Sequence, residues 1–389
     1  MVNNIKVGIP IIGSRDWLGG ISYIELLVKA VASLADNERP RLFLIVRDGS
    51  LNAFDLHKNI ISLFDGIIYI GNDIATAREI ITAEFVNYDS YDELHANIDV
   101  YFPVLSDVYP HRCSASWIPD FQHKYLPEFF SEQEIGNREE KFARIAHEAR
   151  LIVFSSNSAR QDFKKYYPES DAITKILSFF SYPQEEWYTG DCAQVQKRYE
   201  LPDNFIICCN QMWAHKNYER LFEAIALLRE QGQEVHLVCT GAKTDGRFSG
   251  YYEKISHLIQ TLDIGDHVHL LGMIPRNDQI QLIRRSLMVV QPSLFEGWST
   301  VVEDCRVLGK NMLLSDLDVN IEQNPDYSVY FKRTMASDLA LKMKEILETA
   351  KPGPDLKREA EAKSKAFNFV NQYARQFGNI VSTAKELWA

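Results

Sequence analysis

The chain has 389 residues, 46% hydrophobic and 24% charged, which excludes long disorder and suggests two domains, or three. Its 42 basic and 53 acidic side chains leave a net charge of −11, a poor basis for general nucleic-acid binding, although a local basic pocket for a small anion stays open. No apolar run approaches the roughly 18 residues of a membrane-spanning helix, and the N-terminus lacks the basic-then-apolar order of a signal peptide. The six cysteines (Cys113, Cys192, Cys208, Cys209, Cys239, Cys305) form no C-x-x-C pair. Cys208 and Cys209 adjoin in an apolar run and point to opposite strand faces, so reduced thiols in a cytoplasmic protein are expected.

In chain order, apolar runs suited to strands occur at 6–12, 41–46, 66–70, 100–104, 116–118, 151–155 and 175–179. After the first run, Ile24, Leu27, Val31 and Leu34 are spaced for one apolar helix face. Residues 181–204 mix Pro183, Gly190 and Pro202 with polar residues and read as the interdomain connection. Further strand runs follow at 205–209, 235–240, 268–271, 288–292 and 311–315, alternating with candidate helices near 218–228, 251–261, 279–286 and 302–308. Such alternation implies βαβ units and a parallel sheet covered on both faces. Pro352-Gly353-Pro354 breaks the chain before a charged helical stretch, and residues 369–388 carry apolar anchors. The expected domains are 1–185, joined by a C-terminal helix at about 370–389, and 200–368. Ligands of open parallel sheets bind beyond the carboxyl ends of the strands, so a cleft between the domains is expected to be the site.

The segment most suited to chemistry is Pro292-Ser293-Leu294-Phe295-Glu296-Gly297-Trp298-Ser299-Thr300-Val301-Val302-Glu303-Asp304, which follows a strand and opens a helix. Thr300 and Glu303 have capping-box spacing. Free N–H groups and the dipole at such a helix start favour phosphate. Gly297 permits close backbone approach, and the Glu296 carboxylate is placed to accept hydrogen bonds from sugar hydroxyls. An ordinary capped connection accounts for the same local pattern.

Phe295-Glu296-Gly297-Trp298, with Asp304 eight residues after Glu296 and then Gly309, resembles the signature of retaining family 4 glycosyltransferases. The family has Glu where this chain has Asp304. The resemblance implies a GT-B fold: two Rossmann-like α/β domains facing a central cleft, with a C-terminal helix returning to the first. It gives Glu296 the donor sugar, Asp304 the nucleotide ribose, and the N–H groups around Ser299, Thr300 and Val301 the diphosphate, with Gly297 and Trp298 beside it. Residues 210–217 are similar to the family loop carrying an Arg and a Lys toward the phosphates; Gln211 stands at the Arg position and Lys216 at the Lys. Gly19 and Gly20, in the loop that begins at Gly13, match a segment beside donor phosphate and acceptor. Gly241 matches a strand-closing glycine, and Met273 and Ile274 match a loop that flanks the base. In the stretch 117–128, Pro119 replaces the family His, Asp120 and Pro127 match, and His123 either supplies a shifted imidazole or is structural.

The implied function is a retaining, metal-independent glycosyltransferase of polysaccharide or glycoconjugate biosynthesis. It would move a sugar from a UDP- or GDP-linked donor to a glycan or lipid-linked acceptor, in the cytoplasm or peripherally at the inner membrane face. Tyr125–Phe130 and Lys164-Lys165 are either membrane-contacting or ordinary loop residues, the latter favoured. The departures at Gln211, Pro119 and Asp304 motivate an alternative, a catalytically inactive nucleotide-sugar-binding scaffold, and a phosphorylase-like enzyme is a third reading. Asp316-Leu317-Asp318 matches a metal-binding Asp-x-Asp of another fold, but the resembled family has a plain loop there, so metal binding is not expected. His267 and His269 share a strand face with no third ligand in view, which argues against zinc. No G-x-G-x-x-G follows the first strand.

Overall fold

The computed structural model describes residues 2–13, 18–105, 111–245, 248 and 250–389. The chain divides into two compact units, one of Met1–Pro119, Arg138–Tyr182 and Phe367–Ala389, the other of Asp120–Asn137 and Pro183–Ala366.

The first unit holds β1 (Lys6–Pro10), β2 (Arg41–Arg47), β3 (Gly66–Ile70), β4 (Val86–Tyr88), β5 (Val100–Val104), β6 (Ser114–Ile118), β7 (Leu151–Phe154) and β8 (Ile173–Ile176). They form one parallel sheet in the order β4-β3-β2-β1-β5-β6-β7-β8. The interior strands are mostly apolar because both sheet faces are covered, although β6 also buries Ser114 and Ser116. Helix α1 (Leu18–Ala32) buries Ile24, Leu27 and Val31 as its spacing predicts, while Leu34 is buried in the turn beyond it. β4 was not expected: it is a three-residue edge strand with Val86 exposed, too short for an apolar pattern. The last strand lies two residues earlier than the apolar run suggests, and Leu177 and Phe179 instead pack in the core.

The second unit holds β9 (Phe205–Cys209), β10 (His236–Thr240), β11 (Val268–Gly272), β12 (Val289–Gln291), β13 (Met312–Ser315) and β14 (Ser328–Phe331), again parallel, in the order β11-β10-β9-β12-β13-β14. β14 also escaped the sequence reading. Helices α2 (Tyr218–Glu230), α3 (Arg276–Arg285) and α4 (Thr300–Val307) are among those that cover it. The order reverses at β1/β5 in the first sheet and β9/β12 in the second. Such switch points open a crevice at the carboxyl ends of the strands. All six cysteines are free.

The two expected C-terminal stretches are one helix, α5 (Leu356–Leu387). Its charged first half belongs to the second unit, where Glu359 forms a buried 2.6 Å ion pair with Arg284. From Phe367 it belongs to the first unit. There Val370, Tyr373, Ala374, Phe377, Val381 and Ala384, three or four residues apart, enter the same core as α1. Gly309 (φ +59°) ends α4 where a Cβ would sit 2.8 Å from the Arg358 backbone, so glycine lets α5 lie this close.

Candidate active site

The switch point of the second sheet gathers the loops that follow β9 and β12. After β9, residues 210–217 end in a 3-10 turn (Ala214–Lys216), and Asn217 is left-handed (φ 60°) just before α2. Its amide Nδ2 donates to the carbonyls of Pro292 (3.0 Å) and Arg333 (2.9 Å), and the Leu294 N–H donates to the His215 carbonyl at 2.8 Å. The two loops are thereby laced together. Lys216 and Glu296, 80 positions apart, meet in an ion pair of 2.6 Å with side chains only 14% and 9% exposed. The same Glu296 oxygen, Oε1, accepts from Ser293 Oγ (2.6 Å) and Gln291 Nε2 (2.9 Å). Gly297 and Trp298 follow, both half-buried.

Helix α4 is not capped as the spacing suggests. Ser299 is the N-cap, its Oγ accepting from the Val302 N–H at 3.4 Å, and exposed Thr300 is the first helical residue. Glu303 caps nothing: it pairs with Arg306 (3.0 Å) and accepts from Gln323 Nε2 (2.9 Å). The Gln323 amide decides between the two adjacent hydroxyl residues, because its Oε1 accepts from the Ser299 N–H (3.2 Å) and its Nε2 donates to the Ser299 carbonyl (3.1 Å). Burial raises the pKa of Glu303 against the opposing pull of Arg306. In the first turn, the N–H groups of Thr300 and Val301 have no partner among the described residues.

The neighbouring loops close on the same edge. Gly241 (φ +130°) follows β10 where a Cβ would lie 2.2 Å from the Asn210 carbonyl oxygen, and its N–H donates to the Gly272 carbonyl at 2.9 Å. Gln211 is half-buried beside it. Beyond β11, Met273 is 61% exposed, whereas Ile274 packs against the core. Asp304 is fully buried and pairs with Arg276, the first residue of α3, at 2.5 Å; the Arg276 guanidinium lies 5.2 Å from the centre of the Trp187 ring.

Asp120 and His123 lie in the segment that groups with the second unit. Asp120 accepts from the Gln122 N–H at 3.0 Å. His123 is 2% exposed, its ring centre 6.4 Å from that of Phe121 and 6.5 Å from that of Phe130. The Tyr125 ring sits 5.6 Å from Phe295, next to Glu296, while Phe129 packs on the core and Phe130 is buried, so most of this aromatic stretch covers its own unit. Gly19 and Gly20 are in the first turn of α1 rather than in a loop; residues 14–17 of the expected loop lie outside the described residues.

Residues 194–365 match the family model of glycosyl transferases group 1. This segment is a glycosyl transferases group 1 domain. Over 260 residues, 64% of this chain, the protein is 25% identical to the serotype-specific mannosyltransferase WbdA of Escherichia coli, and it spans only 31% of that relative's length. Among solved structures it is similar to Anabaena HepE in complex with UDP and glucose (15% identity, TM-score 0.61, covering 99% of this chain and 98% of that one). It is also similar to WaaG, a glycosyltransferase involved in lipopolysaccharide biosynthesis (14% identity, TM-score 0.57, covering 98% and 99%). At these identities the likeness establishes the fold, GT-B.

In this glycosyltransferase domain the sequence reading missed several polar side chains. Gln291, Asn210, Ser293, Arg276 and Gln323 organise the site. The advance signals are Gln291 and Asn210, polar residues that directly follow the apolar stretches 288–290 and 205–209. A third imidazole was also missed. The β10–β11 pairing brings His236 to ring distances of 5.3 Å from His267 and 5.5 Å from His269. The rings of His236 and His267 stack instead of converging, and no group of three His, Cys, Asp or Glu side chains among the described residues is placed to hold a metal. Asp316 pairs with Arg333 at 2.8 Å, and Asp318 starts a short helix. Among the described residues no helix is long and apolar enough to cross a membrane.

Proposed function

We propose that the chain is a retaining, metal-independent glycosyltransferase that moves a hexose from a nucleoside-diphosphate sugar to a glycan or lipid-linked acceptor in surface-polysaccharide assembly. The observation that carries this reading is the Lys216–Glu296 pair at the carboxyl end of the sheet, beside the partner-free N–H groups of Thr300 and Val301. Cleavage of the sugar C1–O bond puts negative charge on the departing diphosphate. Lys216, drawn from Glu296 toward the diphosphate, and those N–H groups would stabilise that charge electrostatically and so lower the barrier. Ser299's own N–H is committed to Gln323, so the anion falls to Thr300 and Val301. Glu296 accepts hydrogen bonds from the donor sugar. Gln211 and the neighbourhood of Gly241 border the phosphates. Met273 and Ile274 flank the base, and Asp304 with Arg276 borders the ribose. In the retaining step the acceptor oxygen bonds to C1 on the leaving-group face, and its proton passes to the departing phosphate.

The acceptor is assigned to the first unit. A cavity of about 530 Å³ lies at the carboxyl ends of β1, β2 and β5, lined by Ile12, Gly13, Arg47, Ser50, Tyr101 and Leu105 among others. Gly19 and Gly20 follow the same loop. The mannosyltransferase relative favours mannose as the first sugar to try, and the UDP-bound neighbour keeps UDP beside GDP as the nucleotide. The reaction would take place in the cytoplasm, with lipid-linked acceptors met at the inner membrane face.

The test is a thermal-shift panel of UDP, GDP, ADP, dTDP and CMP with and without magnesium, followed by transfer from the matching sugar nucleotides in EDTA. A ligand at 100 times its Kd adds about 2.7 kcal/mol to the folded state, a clear shift. One diphosphate that stabilises the protein without magnesium, followed by transfer, is the expected outcome. Binding without transfer or donor hydrolysis would favour the inactive scaffold. A shift that needs magnesium would overturn metal independence.

A further inference from the structure

We propose that Gln291 is a positioning residue for Glu296, holding one carboxylate oxygen so that the other faces the donor sugar. The inference rests on the glycosyl-transfer reading above. Gln291 ends β12 after two buried valines and is itself 1% exposed. A carboxamide at such a depth is costly unless both of its ends are bonded. Its Oε1 accepts from Asn210 Nδ2 at 2.9 Å, and its Nε2 lies 3.1 Å from Asn210 Oδ1, 2.9 Å from Glu296 Oε1 and 3.2 Å from Ser299 Oγ. A carboxylate only accepts, so the nitrogen of Gln291 must face Glu296, and this orientation in turn fixes the amide of Asn210.

Asn210 is anchored in its turn. It directly follows β9, its carbonyl accepts from the Tyr218 hydroxyl at 2.6 Å, and its backbone lies against the position where Gly241 has no room for a Cβ. Rigid strand ends therefore set the Asn210–Gln291 pair, and the pair sets the carboxylate. Three hydrogen bonds converge on Glu296 Oε1, while Oε2 receives none among the described residues. Lys216 is the member of this trio that a diphosphate would draw away. Gln291 and Ser293 then keep Glu296 in place, and Gln291 alone among the three donors reaches it from a strand. The same amide nitrogen lies 3.2 Å from Ser299 Oγ, but the Ser299 backbone is held separately by Gln323, so the proposed diphosphate contact does not depend on Gln291.

The experiment compares wild type, Gln291→Met and Gln291→Glu by transfer kinetics, by thermal shift with the free nucleoside diphosphate and by pH profile, with folding checked by circular dichroism. Gln291→Met should lower kcat about 10- to 100-fold, the scale of a slightly misplaced contact group, while binding of the free nucleoside diphosphate stays within about threefold. Gln291→Glu keeps the shape but sets a second carboxylate against Glu296. The two would then hold a shared proton to higher pH, and the acid limb of kcat should move up by about one pH unit or more. A purely structural role would lower the melting temperature of both variants without moving that limb. An unchanged kcat in Gln291→Met, or superimposable profiles for Gln291→Glu and wild type, overturns the proposal even if Gln291→Met fails to fold. Absence of transfer by the wild type with every donor would instead sink the glycosyl-transfer reading, and the positioning role with it.

Discussion

Replacing Glu296 by alanine removes the shared acceptor of three donors, whereas replacing Lys216 by alanine removes one donor of the three. The two changes should therefore differ in stability although both abolish the same ion pair. In Glu296→Ala, the Lys216 ammonium and Ser293 Oγ lose this partner in a site where the Lys216 side chain is only 14% exposed, while Gln291 Nε2 loses one acceptor and keeps Asn210 Oδ1 and Ser299 Oγ. Each unsatisfied buried polar group costs about 1–3 kcal/mol, but the lysine can swing to water and the serine can rotate, so a loss of about 2–3 kcal/mol is expected. In Lys216→Ala the carboxylate keeps Gln291 and Ser293, and the expected loss is about 1 kcal/mol. Activity should not follow this order. Both variants should fall at least about 100-fold in transfer, equivalent to about 2.7 kcal/mol of transition-state stabilisation. Lys216→Ala should also lose most of the thermal shift with free nucleoside diphosphate, while Glu296→Ala, whose assigned contact is the sugar, should retain it. Urea denaturation, the thermal-shift panel and initial rates in EDTA measure all three quantities. Greater destabilisation by Lys216→Ala, or near-wild-type transfer in both variants, would refute the reasoning.

Three other outcomes are expected. Gly241→Ala places a methyl group 2.2 Å from the Asn210 carbonyl oxygen at φ +130°; urea unfolding should show a loss of about 2–4 kcal/mol, and the displaced Asn210–Gln211 backbone should weaken the nucleotide shift. Asp304→Glu supplies the residue of the resembled family at a fully buried position already closed by Arg276. The extra methylene should cost about 1–3 kcal/mol in urea unfolding and should not tighten nucleotide binding. Burial pushes the Lys310 ammonium from 10.5 down to about 8, although it donates to the Arg284, Ser286 and Gly353 carbonyls. Between those pH values the unfolded chain binds more protons at this residue than the folded one. Its contribution is therefore fully present above about 10.5 and is lost as pH falls through about 8, a change of at most about 3 kcal/mol. The stability of wild type relative to Lys310→Met should rise across that window, and a difference independent of pH would refute the assignment.

What could be read in advance follows from how far apart the interacting residues are. The βα alternation, the apolar stripe of α1 and the loops around Lys216 and Glu296 are local, and their residue types announce them. The pairing of Lys216 with Glu296 depends on β9 lying beside β12, a strand order that no spacing within either loop encodes. The same limit explains Ser299. The sequence offers two adjacent hydroxyl residues, and the choice between them is made by Gln323 from another helix. His236 reaches the other two imidazoles only through the register of β10 with β11. Gln291 and Asn210 show where such information lies partly exposed. A parallel strand buried on both faces has little use for a carboxamide in its interior, so a polar residue at its last position marks where the side chain leaves apolar packing for a loop it must hold. When two such residues end neighbouring strands at a switch point, each supplies the hydrogen bonds the other needs, and the loops beyond them inherit a fixed geometry. In this chain that inheritance passes to Glu296. A carboxylate carried by a loop is thereby as well oriented as one built on a strand.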